Sequence, residues 1–171
     1  MYRHLLNNLL LASCILYASI GNALPEDFDQ EVVIISDRAQ LDRKSGQVTY
    51  SGDVVLTQGT LRIESDTLTV IRKDNVLEKA IAEGKQAHYQ QQIQANDPLT
   101  SADANRIEYL AAQQQAVLIG NAKLMQAENQ LTGERIVYDM TTEVVTAGSS
   151  EDGKPSRIKV VIQPQTVKDS K

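Results

Sequence analysis

The side chains able to do covalent or metal chemistry are few in this chain and do not gather. There are two histidines and one cysteine, and His4 and Cys14 both fall within the N-terminal residues 1–23, ahead of the expected domain. His88 stands between Ala87 and Tyr89 with no acid partner evident along the chain, and its alternation places it on an outer face. Metal ligation asks for clustered His, Cys, Asp or Glu, so no metal site is expected. Acyl transfer asks for a nucleophile beside a base, and no G-x-S-x-G occurs. A glycosidase needs two carboxylates aimed at one bond. Glu64 and Asp66 share a parity, but it is opposite to that of Ile63, which turns both toward solvent. The expectation is a protein that is not an enzyme and uses no cofactor.

The elements that carry these residues read as strands. Apolar residues recur at period two: Val48 and Tyr50, Leu61 and Ile63, Leu68 and Val70, Ile107 and Tyr109, then Ile158, Val160 and Ile162. Turn-forming pairs sit between such runs at Ser45-Gly46, Gly52-Asp53, Lys73-Asp74-Asn75, Glu83-Gly84, Gly120-Asn121 and Asp152-Gly153. With 171 residues there is room for one domain, and short alternating strands make it all-β: a sandwich, barrel or roll. Aromatic residues are 4% of the chain, so Val, Ile and Leu must fill the interior or leave it partly open. A formal charge of −5 repels a phosphate backbone, which argues against nucleic acid as a partner.

An internal repeat organises the strands. Residues 36–72 align without gaps on residues 104–140, with Gly52 falling on Gly120, an offset of 68 (120 − 52). Arg38 falls on Arg106, Leu41 on Tyr109, Gln47 on Gln115, Ile63 on Leu131, Leu68 on Ile136 and Val70 on Tyr138. Few identities survive, yet apolar positions keep their parity. A one-residue slip would turn every side chain to the wrong face, so shared parity implies a shared strand register. Like units stacked along an axis leave strand edges open at both ends unless something caps them. The β-branched runs Glu31–Ile35 and Arg157–Ile162 lie at those ends with no proline inside. They are either docking edges or ordinary edge strands blunted by Glu31, Arg157 and Lys159.

Residues 1–23 read as a cleaved signal peptide: Arg3 and His4, an apolar run from Leu9 to Ile20, then Gly21-Asn22-Ala23. An uncleaved membrane anchor is the rival, although the run is shorter than the roughly 20 apolar residues of a span. Leu11-Ala12-Ser13-Cys14 imitates a lipidation box, but Ile15, Leu16 and Tyr17 would then occupy the place of a polar tether. Residues 24–163 form the expected domain and 164–171 a flexible polar tail.

At SGDVVLTQGTLRIESDTLTV (51–70), and again at LIGNAKLMQ (118–126) and TGERIVY (132–138), the chain resembles the OstA-like family. The resemblance spans roughly residues 31–145. It implies a periplasmic lipopolysaccharide-transport protein whose fold is an antiparallel β-jellyroll, slightly twisted and open along one side. It also implies that inward side chains hold the acyl chains of lipid A. Copies would join head to tail, capped by the jellyroll component of an inner-membrane transporter and by the N-terminal domain of an outer-membrane insertase.

Carried over by motif, the implied lipid-binding positions begin with Val32 and Ile34, then Tyr50, Val54 and Leu56. Ile63, Leu68, Val70 and Tyr89 follow, with Ile107 and Tyr109. The second repeat adds Ala122, Leu124, Ile136 and Tyr138. The implied oligomer interface is Val33, Ile35, Ile158, Val160 and Ile162. The pattern departs from the family at Gln90–Gln94, which leaves strand boundaries open from 84 to 100. Two other functions fit the residues alone: a structural β-filament without lipid, or a monomeric carrier of small apolar ligands.

Overall fold

The computed structural model describes residues 27, 30–74, 76–93, 97–148 and 156–164. Residues 1–23, expected to be a signal peptide, as well as Asn75, Asp152-Gly153 and residues 165–171, lie outside the described residues. Ten strands follow in order: β1 (Val33–Ile35), β2 (Arg38–Asp42), β3 (Gln47–Gln58), β4 (Leu61–Lys73), β5 (Val76–Gln91), β6 (Thr100–Leu110), β7 (Gln115–Gln126), β8 (Asn129–Asp139), β9 (Val144–Gly148) and β10 (Lys159–Val161). All pairings are antiparallel, and the six long strands β3 to β8 pair in sequence order. β1 and β2 both pair with β3 at one edge, while β9 and β10 both pair with β8 at the other. The edges do not pair with each other, so the sheet does not close. It is an open antiparallel β-jellyroll.

Each ladder between two long strands breaks register part-way along. The breaks fall at Ser51/Val54, Glu64/Thr67, Glu83/Ala87, Asp103/Arg106 and Ile119/Ala122. Bulges bend strands and increase their twist, so a line of them across neighbouring strands folds the sheet upon itself. Two leaves result. The first leaf holds β2, β9 and the ends of the long strands that pair with them, as in 47–51, 67–73 and 135–139. The second leaf holds β1, β10 and the other ends, as in 54–58, 61–65 and 122–126. Here the structure corrects the sequence expectation. Gly52-Asp53, Glu83-Gly84 and Gly120-Asn121 are bulges inside long strands, not turns between short ones. Bulges such as those at Gly52-Asp53 and Gly120-Asn121 use the same positive φ as the tight turn at Gly46, so residue type alone does not distinguish them.

The repeat is visible in the pairing itself. Gln47–Gln58 shifted by the same offset is β7, residue for residue. The pairs Arg38↔Ser51 and Asp42↔Gln47 recur as Arg106↔Ile119 and Leu110↔Gln115, and Ile34↔Leu56 recurs as Ala102↔Leu124. β1 and β2 together are thus the counterpart of β6, interrupted at Ser36-Asp37. The left-handed residues repeat too: Gly46, Gly52, Asp53 and Gly59 have φ of 70°, 85°, 42° and 57°, and their counterparts Gln114, Gly120, Asn121 and Ala127 have 49°, 75°, 51° and 52°.

At Gly46 a Cβ would lie 2.8 Å from the backbone carbonyl oxygen of Arg72, which cannot swing aside as the side chains facing Gly52 and Gly59 can. Gly46→Val is expected to lower unfolding free energy by about 1–2 kcal/mol, because a β-branched residue is strained at positive φ. Gly148→Ala, where an added Cβ meets nothing within 4 Å, is the control and should stay within about 0.5 kcal/mol. Urea denaturation of both variants checks the difference.

Candidate functional site

The space between the leaves is lined by one apolar cluster. Of the residues expected inward, Val54, Leu56, Ile63, Leu68, Val70, Tyr89, Ile107, Tyr109, Ala122, Leu124, Ile136 and Tyr138 are buried. Ile34 and Tyr50 pack against the cluster while half-buried. Val32 departs from the expectation: it has the parity of Ile34, but it precedes β1 and remains 48% exposed because no strand covers that edge. The inward parity switches from odd at Ile63 and Ser65 to even at Leu68 and Val70, as the bulge between Glu64 and Thr67 requires.

Sequence reasoning missed the alanines. Ala80, Ala82, Ala87, Ala102, Ala104 and Ala116 are all buried. On β5 the larger Ile81 is only half-buried, and Ala80 and Ala82 take the interior. The signal was in the pairing partners, since Ala82 lies between Leu68 and Ile107. Hydrophobic size was the wrong guide.

Three tyrosines give the interior its polarity. The Tyr89 hydroxyl donates to Gln91 Oε1 at 2.6 Å and lies 3.9 Å from Met140 Sδ, a contact between the two leaves. Gln91 Nε2 in turn donates to Asp27 Oδ2 at 2.6 Å. Asp27 also accepts from the Thr60 backbone N–H at 2.8 Å and from its hydroxyl at 2.7 Å. The N-terminal segment thereby clasps the β3–β4 turn to the end of β5. The hydroxyls of Tyr109 and Tyr138 are buried with no hydrogen-bond partner among the described residues, as are those of Ser65 and Thr100. Leaving such a group unpaired costs about 1–3 kcal/mol.

Burial drives the titration of these phenols. Burial pushes Tyr89 well above its ordinary value, with Tyr138, Tyr109 and Asp27 adding to the effect. Burial, then Asp27, pushes Tyr109 up to about 12. Tyr138 is raised by burial, then by Glu143 and Asp97.

The outer face is charged and paired. His88 Nδ1 lies 2.7 Å from Asp103 Oδ1, so the structure supplies the acid partner that sequence order concealed. His88 pairs across to Asp103 on β6 and Glu64 on β4. Glu64 accepts from Arg62 Nε at 2.9 Å, and Asp66 accepts from the Lys85 backbone N–H at 3.1 Å, so the two carboxylates are separately engaged and do not converge. Arg106 joins Glu83 and Glu108, and Lys79 joins Glu108. Burial tends to raise the Glu108 carboxyl, but Lys79 and Arg106 outweigh it and the net shift is downward. Among the described residues, no group of three or more His, Cys, Asp or Glu could hold a metal ion.

At both edges the apolar interior comes to the surface. Leu41, paired with Val48, has inward parity and is 57% exposed. Val160, paired with Leu131, is its counterpart at the other edge at 54%, flanked by exposed Ile158 and Ile162. Val33 and Ile35, on the outward face of β1, are exposed as well. Exposed apolar groups gathered at unpaired strand edges mark interaction surfaces.

These features define a class: an open β-jellyroll with a continuous apolar interior that ends on both sides at unpaired strands. Comparison with known proteins is concordant. Residues 33–144 match the family described as LptA/(LptD N-terminal domain) LPS transport protein. Lipopolysaccharide export system protein LptH of Pseudomonas aeruginosa is 37% identical over 153 residues, covering 86% of this chain and 87% of the relative. Lipopolysaccharide export system protein LptA of Escherichia coli K12 is 35% identical over 165 residues, covering 95% of this chain and 87% of the relative. The crystal structure of LptH, the LptA-homologous periplasmic component of the lipopolysaccharide transport device of P. aeruginosa, superposes with a TM-score of 0.75 over 82% of this chain and 100% of that one. The chain belongs to the LptA/(LptD N-terminal domain) family of LPS transport proteins. Its relatives are transport proteins, not enzymes, in line with the scattered chemistry of the sequence.

The raised phenols predict the alkaline behaviour. A phenol that stays protonated in the native state but ionises near 10 when unfolded contributes fully below pH 10 and loses its contribution as pH rises toward 12. Tyr109 alone should account for a loss of up to about 3 kcal/mol across that window. Tyr109→Phe is expected to flatten the decline, as followed by circular dichroism in urea from pH 8 to 12.

Proposed function

We propose that this chain binds the acyl chains of lipopolysaccharide between its two leaves and passes the lipid along a head-to-tail series of copies from the inner to the outer membrane. The observation that carries this reading is an apolar interior that runs between the leaves and emerges at both unpaired edges. Burying an acyl chain is worth about 0.8 kcal/mol per methylene, so a deep isolated pocket would hold a many-chained lipid too tightly to release it. Handover at near-zero net cost needs a following site like the first, and a copy joined edge to edge supplies one. Nothing in the sequence resembles a nucleotide-phosphate loop, so the drive comes from a partner.

The lipid-contacting set is the interior one, from Ile34 at the first edge to Ile136 and Tyr138 near the last, with Val32 at the exposed rim. The leaves meet through side chains alone, as at Tyr89 and Met140, so cargo enters by parting them and leaving the backbone ladders intact. Val33, Ile35, Ile158, Val160 and Ile162 form the join, a heterologous contact that propagates without closing. The inner-membrane transporter's jellyroll component and the outer-membrane insertase's N-terminal domain would present the same edges to the first and last copies. The protein works in the periplasm after loss of residues 1–23, with 24–163 as the jellyroll and 164–171 as a polar tail.

Two experiments test this. A photo-crosslinking residue at Tyr109 or Tyr50 should capture lipopolysaccharide in cells, and one at His88 or Arg62 should not; equal labelling at both pairs refutes the interior as the lipid site. Sedimentation should show oligomers that lengthen with concentration. Val160→Pro, which removes a backbone donor from a three-residue edge strand, should leave monomers. Association unaltered by that substitution refutes the edge-to-edge join.

A further inference from the structure

The two repeats keep the same pairing register, and one of the rungs at which their residues differ carries oxygen atoms that packing leaves unexplained. In the first repeat the rung reads Leu41, Val48, Val70 across three strands. In the second it reads Tyr109, Ala116, Tyr138 at the corresponding positions. The ladder geometry is the same, so the fold accepts plain hydrocarbon at both outer positions. What the second repeat adds at this rung is a pair of phenols, carried on strands whose backbones lie two strand spacings apart, roughly 9–10 Å, on either side of the small Ala116. Both are buried and neither has a partner among the described residues, whereas the other fully buried tyrosine described, Tyr89, is satisfied by Gln91.

Packing does not account for oxygen atoms at these positions, because Phe would fill the same volume without an unpaired donor. A ligand that brings its own oxygen into the interior would account for them. We propose that the hydroxyls of Tyr109 and Tyr138 select acyl chains bearing oxygen within their apolar length, as a hydroxyl or an ester, over unsubstituted hydrocarbon chains. This inference rests on the reading of the interior as an acyl-chain site. It adds a polar selector that the apolar lining alone would not provide. A lining of hydrocarbon alone would give the opposite preference, since burying a ligand hydroxyl without a partner is unfavourable.

Displacement of a fluorescent fatty acid from the purified protein separates the possibilities. Tetradecanoate and 3-hydroxytetradecanoate are the competitors, and the readout is the ratio of their affinities. The native chain should favour the hydroxylated acid by about fivefold or more, the worth of one net hydrogen bond. The ratio should fall to one or below in Tyr109→Phe/Tyr138→Phe, with each single variant between. Without lipid, the double variant should melt no lower than the native chain, which excludes a merely structural role. A native ratio of one or below overturns the proposal, and so does a preference that survives loss of both hydroxyls. If both acids bind without preference, the selector fails and the acyl-chain reading stands. If neither displaces the probe, that reading fails and takes the selector with it.

Discussion

The structure depends on a single constraint, that every long strand must bend at the same level. The bulges at Ser51/Val54, Glu64/Thr67, Glu83/Ala87, Asp103/Arg106 and Ile119/Ala122 fold one sheet into two facing leaves. Because the bend runs along the strand order, the enclosed space runs from one sheet edge to the other. Antiparallel neighbours satisfy their backbone groups within the sheet, which leaves the two leaves joined across the interior by side chains alone. An interior of that kind can open without breaking a ladder. Its ends are strand edges, and an unpaired edge is a template for another strand.

Duplication explains how a chain with few aromatic residues achieves this. The same bend, written at Gly52-Asp53 and again at Gly120-Asn121, with matching positive φ, gives two units whose leaves are collinear. β5 pairs with β4 and β6 and joins the units into one sheet. The outer units are incomplete in a corresponding way: the counterpart of β6 at the first edge is split into β1 and β2, and two short strands, β9 and β10, cover β8 at the last. Short strands at an edge leave apolar side chains such as Leu41 and Val160 half covered.

Polar groups are sorted by face. Outside, Arg62, Arg106, Lys79 and His88 are matched by carboxylates on the same or adjacent strands. Such exposed pairs contribute little individually to stability. Inside, the polar atoms are hydroxyls and one amide, gathered near Tyr89 and clasped at the rim by Asp27. The distribution suits a surface that stays in water around an interior that excludes it.

The residue pattern by itself determined the all-β class and the repeat with its register, because strand periodicity fixes which face a side chain takes once parity is known; most of the interior positions came from the resemblance to the OstA-like family. Only the tertiary structure decided which glycine pairs are bulges and which are turns, since both use the same backbone conformations. It alone placed Ala80 and Ala82 inside ahead of Ile81, because register is set by partners distant in sequence. The pairing of His88 with Asp103, the clasp of Asp27 on Thr60 and Gln91, and the solitude of the Tyr109 and Tyr138 hydroxyls belong to the same category. Each depends on distances between strands, and no spacing along the chain encodes them.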